Sequence, residues 1–91
     1  MNKVDVFKAL ADSTRLKILE SIRNGERCIC EIIPFTRKSQ PNVSQHLKVM
    51  KHAGIIHERK DGNRSIIKAS TKEIFDIIDQ VSSLSEENDT Y

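Results

Sequence analysis

The chain is short of the residues that build a deep core. Its 91 residues include no Trp, three Phe and one Tyr, and a domain of this length buries only roughly 60–65% of the surface its unfolded chain exposes. A second copy packed against it would supply the apolar contact that one thin core lacks. Long apolar runs are missing too. Nothing approaches the roughly 20 residues of a membrane span, and the N-terminus lacks the basic-then-apolar pattern of a secretion signal. These absences predict a soluble, cytoplasmic, single-domain protein with no membrane partner. There is no Gly-rich phosphate loop, no metal-hydrolase box and no nucleophile paired with a base, which argues against an enzyme. Cysteine is nearly absent, and the two present, Cys28 and Cys30, are expected to be thiols in a reducing compartment. No segment repeats another.

What the chain does have is charge, unevenly placed. Residues 1–36 hold six Lys/Arg against five Asp/Glu, residues 37–68 hold eight against two, and residues 71–91 hold one against six. The three segments therefore carry +1, +6 and −5, although the whole chain carries only +2. His46, His52 and His57 all lie in the basic middle. A local excess of this kind is the footprint expected for a polyanionic partner.

The basic segment contains the best-punctuated stretch of the chain, residues 39–54. Ser39 is a suitable N-cap, Pro41 fits the first turn where its missing N–H is not needed, and Gly54 can close the far end in a left-handed conformation. Val43, Leu47, Met50 and Ala53 step by three or four and fall on one stripe. The other side carries Gln40, Asn42, Ser44, Gln45, His46 and Lys48. Short amides, hydroxyls and an imidazole in the first turns suit base edges and phosphates, whereas an ordinary wet face is dominated by Glu and Lys. The spacing predicts a recognition helix.

The rest of the chain arranges itself around this helix. Residues 4–11 repeat apolar positions at helical spacing, and Ser13 is expected to cap a second helix with Leu16, Leu19 and Ile22 buried and Ile18 beside them. Residues 26–36 predict a short third helix that Pro34 limits, since the residue before a proline is disfavoured in helix. Two helices joined by a brief turn, the second being the recognition helix, give a helix-turn-helix. Residues 55–60 and 64–69 then flank Asp61, Gly62 and Asn63 as a β-hairpin, with Lys60 and Arg64 at its basic tip. Thr71 opens a last helix in which Ile74, Phe75, Ile77, Ile78, Val81 and Leu84 form an apolar face wide enough for both core and partner. The acidic residues 85–91 are expected to be a disordered tail. The fold class is mainly α with a β-hairpin wing, a winged helix-turn-helix over residues 1–84.

In this arrangement Phe7-Lys8-Ala9-Leu10-Ala11-Asp12-Ser13-Thr14-Arg15-Leu16, then Ser39-Gln40-Pro41, Ser44-Gln45-His46-Leu47 and Ala53-Gly54-Ile55-Ile56, strongly resemble the ArsR/SmtB family of transcriptional repressors. The resemblance implies a homodimer formed through the first and last helices, with Val4, Phe7, Ile74, Ile77, Ile78, Val81 and Leu84 at the interface. It also implies an inverted-repeat operator in double-stranded DNA. Ser39, Gln40, Asn42, Ser44, Gln45 and His46 are the expected base and backbone contacts, and Arg37, Lys38, Lys48, Lys60 and Arg64 the expected phosphate contacts. Arg15 matches the family's pattern as well.

Glu26-Arg27-Cys28-Ile29-Cys30-Glu31-Ile32 resembles the box that carries thiolate ligands in thiol-type members. Cys28 and Cys30 are thereby implied as a metal site releasing DNA on binding As(III), Sb(III), Cd(II) or Pb(II), soft ions that suit soft ligands. No cofactor is required. Two departures stand out: Ile33 occupies the place of a third cysteine, and the last helix has no His for a zinc site. On a regular helix the two thiols would diverge by about 200°, so that neither an ion nor a disulfide could join them without unwinding. The alternatives left open are two small packing residues, thiol-redox sensing, an organic ligand or constitutive repression, and a winged-helix adaptor binding an acidic protein.

Overall fold

A computed structural model describes residues 1–85; the expected tail beyond Ser85 lies outside the described residues. Eight elements follow in order: α1 (Lys3–Leu10), α2 (Ser13–Ser21), β1 (Arg27–Cys28), α3 (Ile29–Thr36), α4 (Gln40–Ala53), β2 (Ile56–Asp61), β3 (Arg64–Ala69) and α5 (Glu73–Ser85). The antiparallel sheet has the order β1-β3-β2.

Each helix starts where a side chain takes up otherwise unpaired backbone donors. Asn2 Oδ1 accepts the N–H groups of Val4 and Asp5 at α1. At α2 the cap is Asp12, whose Oδ1 accepts from Thr14 (2.8 Å) and Arg15 (3.1 Å). Ser13, the expected cap, is instead the first helical residue. A carboxylate there also complements the positive end of the helix dipole, which a hydroxyl does less well. Burial works against the charge on Asp12, but the Arg15 backbone N–H, the charges of His46 and Arg15, and the Thr14 N–H together hold its carboxyl below the ordinary range. Thr71 Oγ1 accepts from Glu73 N (3.3 Å) ahead of α5.

The core gathers Ile18 and Leu19 of α2 with Ile22 just past its end, Ile32 of α3, Val43, Leu47 and Met50 of α4, Ile55 to Ile56, Ile67, and Ile74, Phe75 and Ile78 of α5. On α2 Ile18 and Leu19 are fully buried, with Ile22 at its C-cap buried beside them, and Leu16 is only half-buried against the core. Arg23 pins α5 to α2: its guanidinium reaches Asp79 at 3.0 Å and Glu20 at 3.1 Å, and lies 4.9 Å from the Phe75 ring centroid. The bond to Asp79 is the main cause of the raised Arg23 pKa.

Two expectations are corrected by the segment before α4. The third helix begins only at Ile29, because Arg27 and Cys28 are drawn into the sheet opposite Ile67 and Ile66. It also runs through Pro34 to Thr36. Proline removes only the donor that would reach Cys30, and the following turn is held by Thr36 Oγ1 donating to Ile33 O (2.8 Å) and Arg37 N–H to the same carbonyl (3.2 Å).

Candidate nucleic-acid interface and thiol site

The recognition helix folds as its punctuation dictates. Ser39 Oγ accepts from Asn42 N (3.3 Å), Pro41 lies in the first turn, and Gly54 closes α4 at φ +82°. Val43, Leu47, Met50 and Ala53 are buried, which turns Gln40, Asn42, Ser44, Gln45 and Lys48 outward. Arg37 and Lys38 are exposed just ahead of the helix N-terminus, with Arg37 at φ +60°. Two cations beside a positive helix end make a place for phosphate. The side chains of exposed His52 and His57 make no hydrogen bond or ion pair among the described residues.

His46 differs from its neighbours. Its side chain is only 19% exposed, and its Nδ1 lies 3.1 Å from Arg15 Nη1. The same guanidinium donates through Nε to Ala9 O (2.7 Å) and through Nη2 to Lys8 O (3.0 Å), the last carbonyls of α1. The sequence marked Arg15 as part of a pattern but gave it no role, since a contact across 31 positions leaves no local signal.

The hairpin turns at Gly62 and Asn63, with Gly62 at φ +63° and Asp61 opposite Arg64. Both basic residues at its tip are held by the protein's own groups. Lys60 Nζ donates to Ser65 Oγ (2.7 Å), and Arg64 lies 3.8 Å from Glu31. Lys51 in the last turn of α4 bonds Glu58 of β2 at 2.6 Å, and this bond is the main reason the Glu58 carboxyl titrates low. The recognition helix and the wing are thus tied at their bases, and their outer residues are left to the solvent.

Cys28 is the N-cap of α3, with extended backbone at φ −65° and ψ 144°. Its sulfur and that of Cys30 therefore do not diverge as two residues on one helix would. The structure joins them as a Cys28–Cys30 disulfide, with the Cα atoms 5.1 Å apart. Cys28 is buried and Cys30 exposed, so one sulfur packs and the other meets solvent. Cys28 Sγ also accepts the Cys30 N–H, while Glu31 Oε1 accepts the Cys28 N–H at 3.2 Å, a capping box built on sulfur. Glu31 further reaches Arg27 (3.5 Å) and, on the wing, Arg64. The spacing from Cys28 to Glu31 is that of an N-cap and its third residue, a signal hidden because cysteine is not an ordinary cap. Two sulfurs suit a soft ion in kind, but no group of three or more His, Cys, Asp or Glu residues among the described residues could hold a metal.

Of the residues expected at a dimer face, Val4, Phe7, Ile77, Val81 and Leu84 are exposed. Ile74 and Ile78 are instead buried within the protomer, on the inner stripe of α5 with Phe75. No helix among the described residues is long and apolar enough to cross a membrane.

A helix-turn-helix whose second helix presents short polar groups, followed by a basic hairpin, defines a DNA-binding winged helix-turn-helix regulator. The family model described as bacterial regulatory protein, arsR family, matches residues 12–58. The chain belongs to this family of transcriptional repressors. It is 41% identical over 81 residues to an uncharacterised HTH-type transcriptional regulator of Methanocaldococcus jannaschii, covering 85% of this chain and 91% of the relative. It is 32% identical over 83 residues to an arsenical resistance operon repressor of Staphylococcus aureus, covering 91% and 80%. Among solved structures, the homodimeric winged helix-turn-helix DNA-binding domain of a possible ArsR-family regulator from Mycobacterium bovis superposes with a TM-score of 0.81 at 26% identity, covering 97% of this chain and 86% of that one.

Proposed function

We propose that the protein is a homodimeric repressor of an inverted-repeat operator, released from DNA by a thiophilic ion at Cys28 and Cys30. Two-fold symmetry would set the two copies of α4 in successive major grooves, roughly 34–36 Å apart. The observation that carries the sensing half is the meeting of both sulfurs at the N-terminus of α3, where Cys28 also ends the strand that pairs with the wing. Similarity to an arsenical resistance repressor supports the same reading. Exposed apolar residues on α1 and α5, together with the homodimeric neighbour, support the dimer.

Binding an ion through Cys28 Sγ would take that sulfur from the Cys30 N–H and disturb the cap that Glu31 completes. Glu31 also neighbours Arg64, so the disturbance has a short route to the wing. Once the disulfide is reduced, Cys28 and Cys30 would provide two thiolates, and a further ligand would come from solvent, a small thiol or the second subunit.

Fluorescence anisotropy of the reduced protein on DNA upstream of its own gene tests this reading, with arsenite and, in parallel, cadmium added stepwise. Release near stoichiometric ion is expected, and the Cys28→Ser/Cys30→Ser protein should bind DNA yet stay bound. Full release of that double variant would remove the pair from the mechanism. The joined sulfurs favour a second reading, in which a peroxide takes two electrons and two protons from the thiols. Release by peroxide without ion, reversed by a dithiol reductant, would select it.

A further inference from the structure

Arg15 has been described so far as a link between helices, yet its contact with His46 also constrains what the recognition helix can say to DNA. A guanidinium has only donors and does not lose its proton in proteins. His46 Nδ1, 3.1 Å from Arg15 Nη1, must therefore be the accepting nitrogen, and a neutral ring then carries its proton on Nε2. Asp12 Oδ1 lies 3.9 Å from the same Nδ1, but that oxygen is already engaged by two backbone N–H groups as the cap of α2. Nε2 has no hydrogen-bond partner among the described residues. No buried side-chain nitrogen or oxygen among them lacks a partner, so the Nε2 edge is the part of the ring open to solvent. His46 lies one turn beyond exposed Asn42 on α4.

We infer that Arg15 is a positioning residue for DNA reading. By occupying Nδ1 and anchoring to the α1 carbonyls of Lys8 and Ala9, it fixes the His46 ring so that Nε2–H is an obligatory donor. The DNA group opposite must then be an acceptor, a purine N7, a guanine O6, a thymine O4 or a phosphate oxygen, and the amino groups of adenine and cytosine are excluded. This inference rests on the reading of α4 as the DNA-contacting helix.

The test begins without DNA. Long-range proton–nitrogen correlation spectra of the histidine-labelled free protein, at a pH where the ring is neutral, should show His46 protonated at Nε2. Arg15→Met, which keeps the apolar stem, should yield a mixture of tautomers. His46→Asn places an acceptor near the Nδ1 position and deletes the outer donor; it should keep the wild-type melting temperature and bind operator about 5- to 30-fold more weakly, the worth of a hydrogen bond to DNA. Adding Arg15→Met to His46→Asn should weaken binding no further than any common loss of fold, which melting curves report. Operators carrying 7-deazapurines, operators with 2-aminopurine for guanine or 5-methylpyrimidin-2-one for thymine, and operators carrying methylphosphonates then separate the acceptors: the change that removes the one His46 uses should abolish the difference between wild type and His46→Asn.

An Nδ1–H tautomer in the wild type overturns the inference, as does full affinity in His46→Asn or a His46→Asn loss that survives every one of these modified DNAs. A wild-type protein with the Nε2–H tautomer that binds no DNA would refute the reading of α4 and the role of the donor with it.

Discussion

Helices α3 and α4 lie next to each other in the chain and are built on opposite terms. In α4 every local signal agrees: a Ser cap, a first-turn Pro, an unbroken buried stripe and a glycine at the left-handed end. In α3 the signals conflict, with a cysteine as cap, a proline in the interior, and Arg37 rather than glycine at φ +60°. Agreement across levels gives a rigid element, and conflict marks places where function has overridden local preference. The contrast teaches where each job belongs. On the proposed function, the element with agreeing signals would read DNA and hold its shape, while the conflicted one would sense and be able to lose it.

The comparison breaks most visibly in the core. Leu47→Ala should cost about 2–5 kcal/mol, since Leu47 is buried on the stripe that carries the recognition face; urea denaturation measures it. If α4 tolerated the change with less than that, its stripe would not be what fixes it. Arg64→Ala should leave folding alone and weaken binding to all DNA alike, lowering the slope of log affinity against log salt by about one unit. A shift in operator preference at constant slope would show that the wing tip reads bases instead.

Changes at the junction should be smaller. Glu31→Ala removes the carboxylate half of the capping box and its exposed ion pairs, for about 0.5–1 kcal/mol, and it should also tighten DNA binding at low salt by freeing Arg64 from an acidic neighbour. Unchanged DNA affinity would sever the cap from the wing.

The smallest effect is in acid. Because the Asp12 carboxyl is held below its unfolded value, its contribution is complete above the unfolded pKa and is lost as pH falls through the folded one. Asp12→Asn keeps the capping oxygen but not the charge, so its stability should fall off less steeply in acid than the wild type's. Parallel curves would assign Asp12 to capping alone.

Legibility in the sequence followed the same division. The recognition helix could be read residue by residue, because caps, proline, stripe and glycine are all encoded within a few positions. The hairpin was legible through its Gly62 and Asn63 turn. What escaped was set by long-range partners. Strand β1 forms only because Ile66 and Ile67 are there to pair with Arg27 and Cys28, and without it the two thiols would be placed on one helix and judged to diverge. Arg15 and His46 meet across three helices. Ile74 and Ile78 looked the same as Ile77 and Val81 in periodicity, and only the packing of the domain divides them between core and surface.

The strand order β1-β3-β2 has a last consequence, for how copies of this chain can meet. An open sheet edge is a template on which further strands add without limit. Here the Ile66 and Ile67 strand is central, short β1 guards part of one side, and the outer strand β2 presents His57, Arg59, Lys60 and Asp61 to solvent. Exposed Val4, Phe7, Val81 and Leu84 are meanwhile confined to helices, whose backbone groups are already paired. In the proposed dimer the copies would meet as a closed pair of helical faces, while growth into fibres along the sheet is opposed by charge.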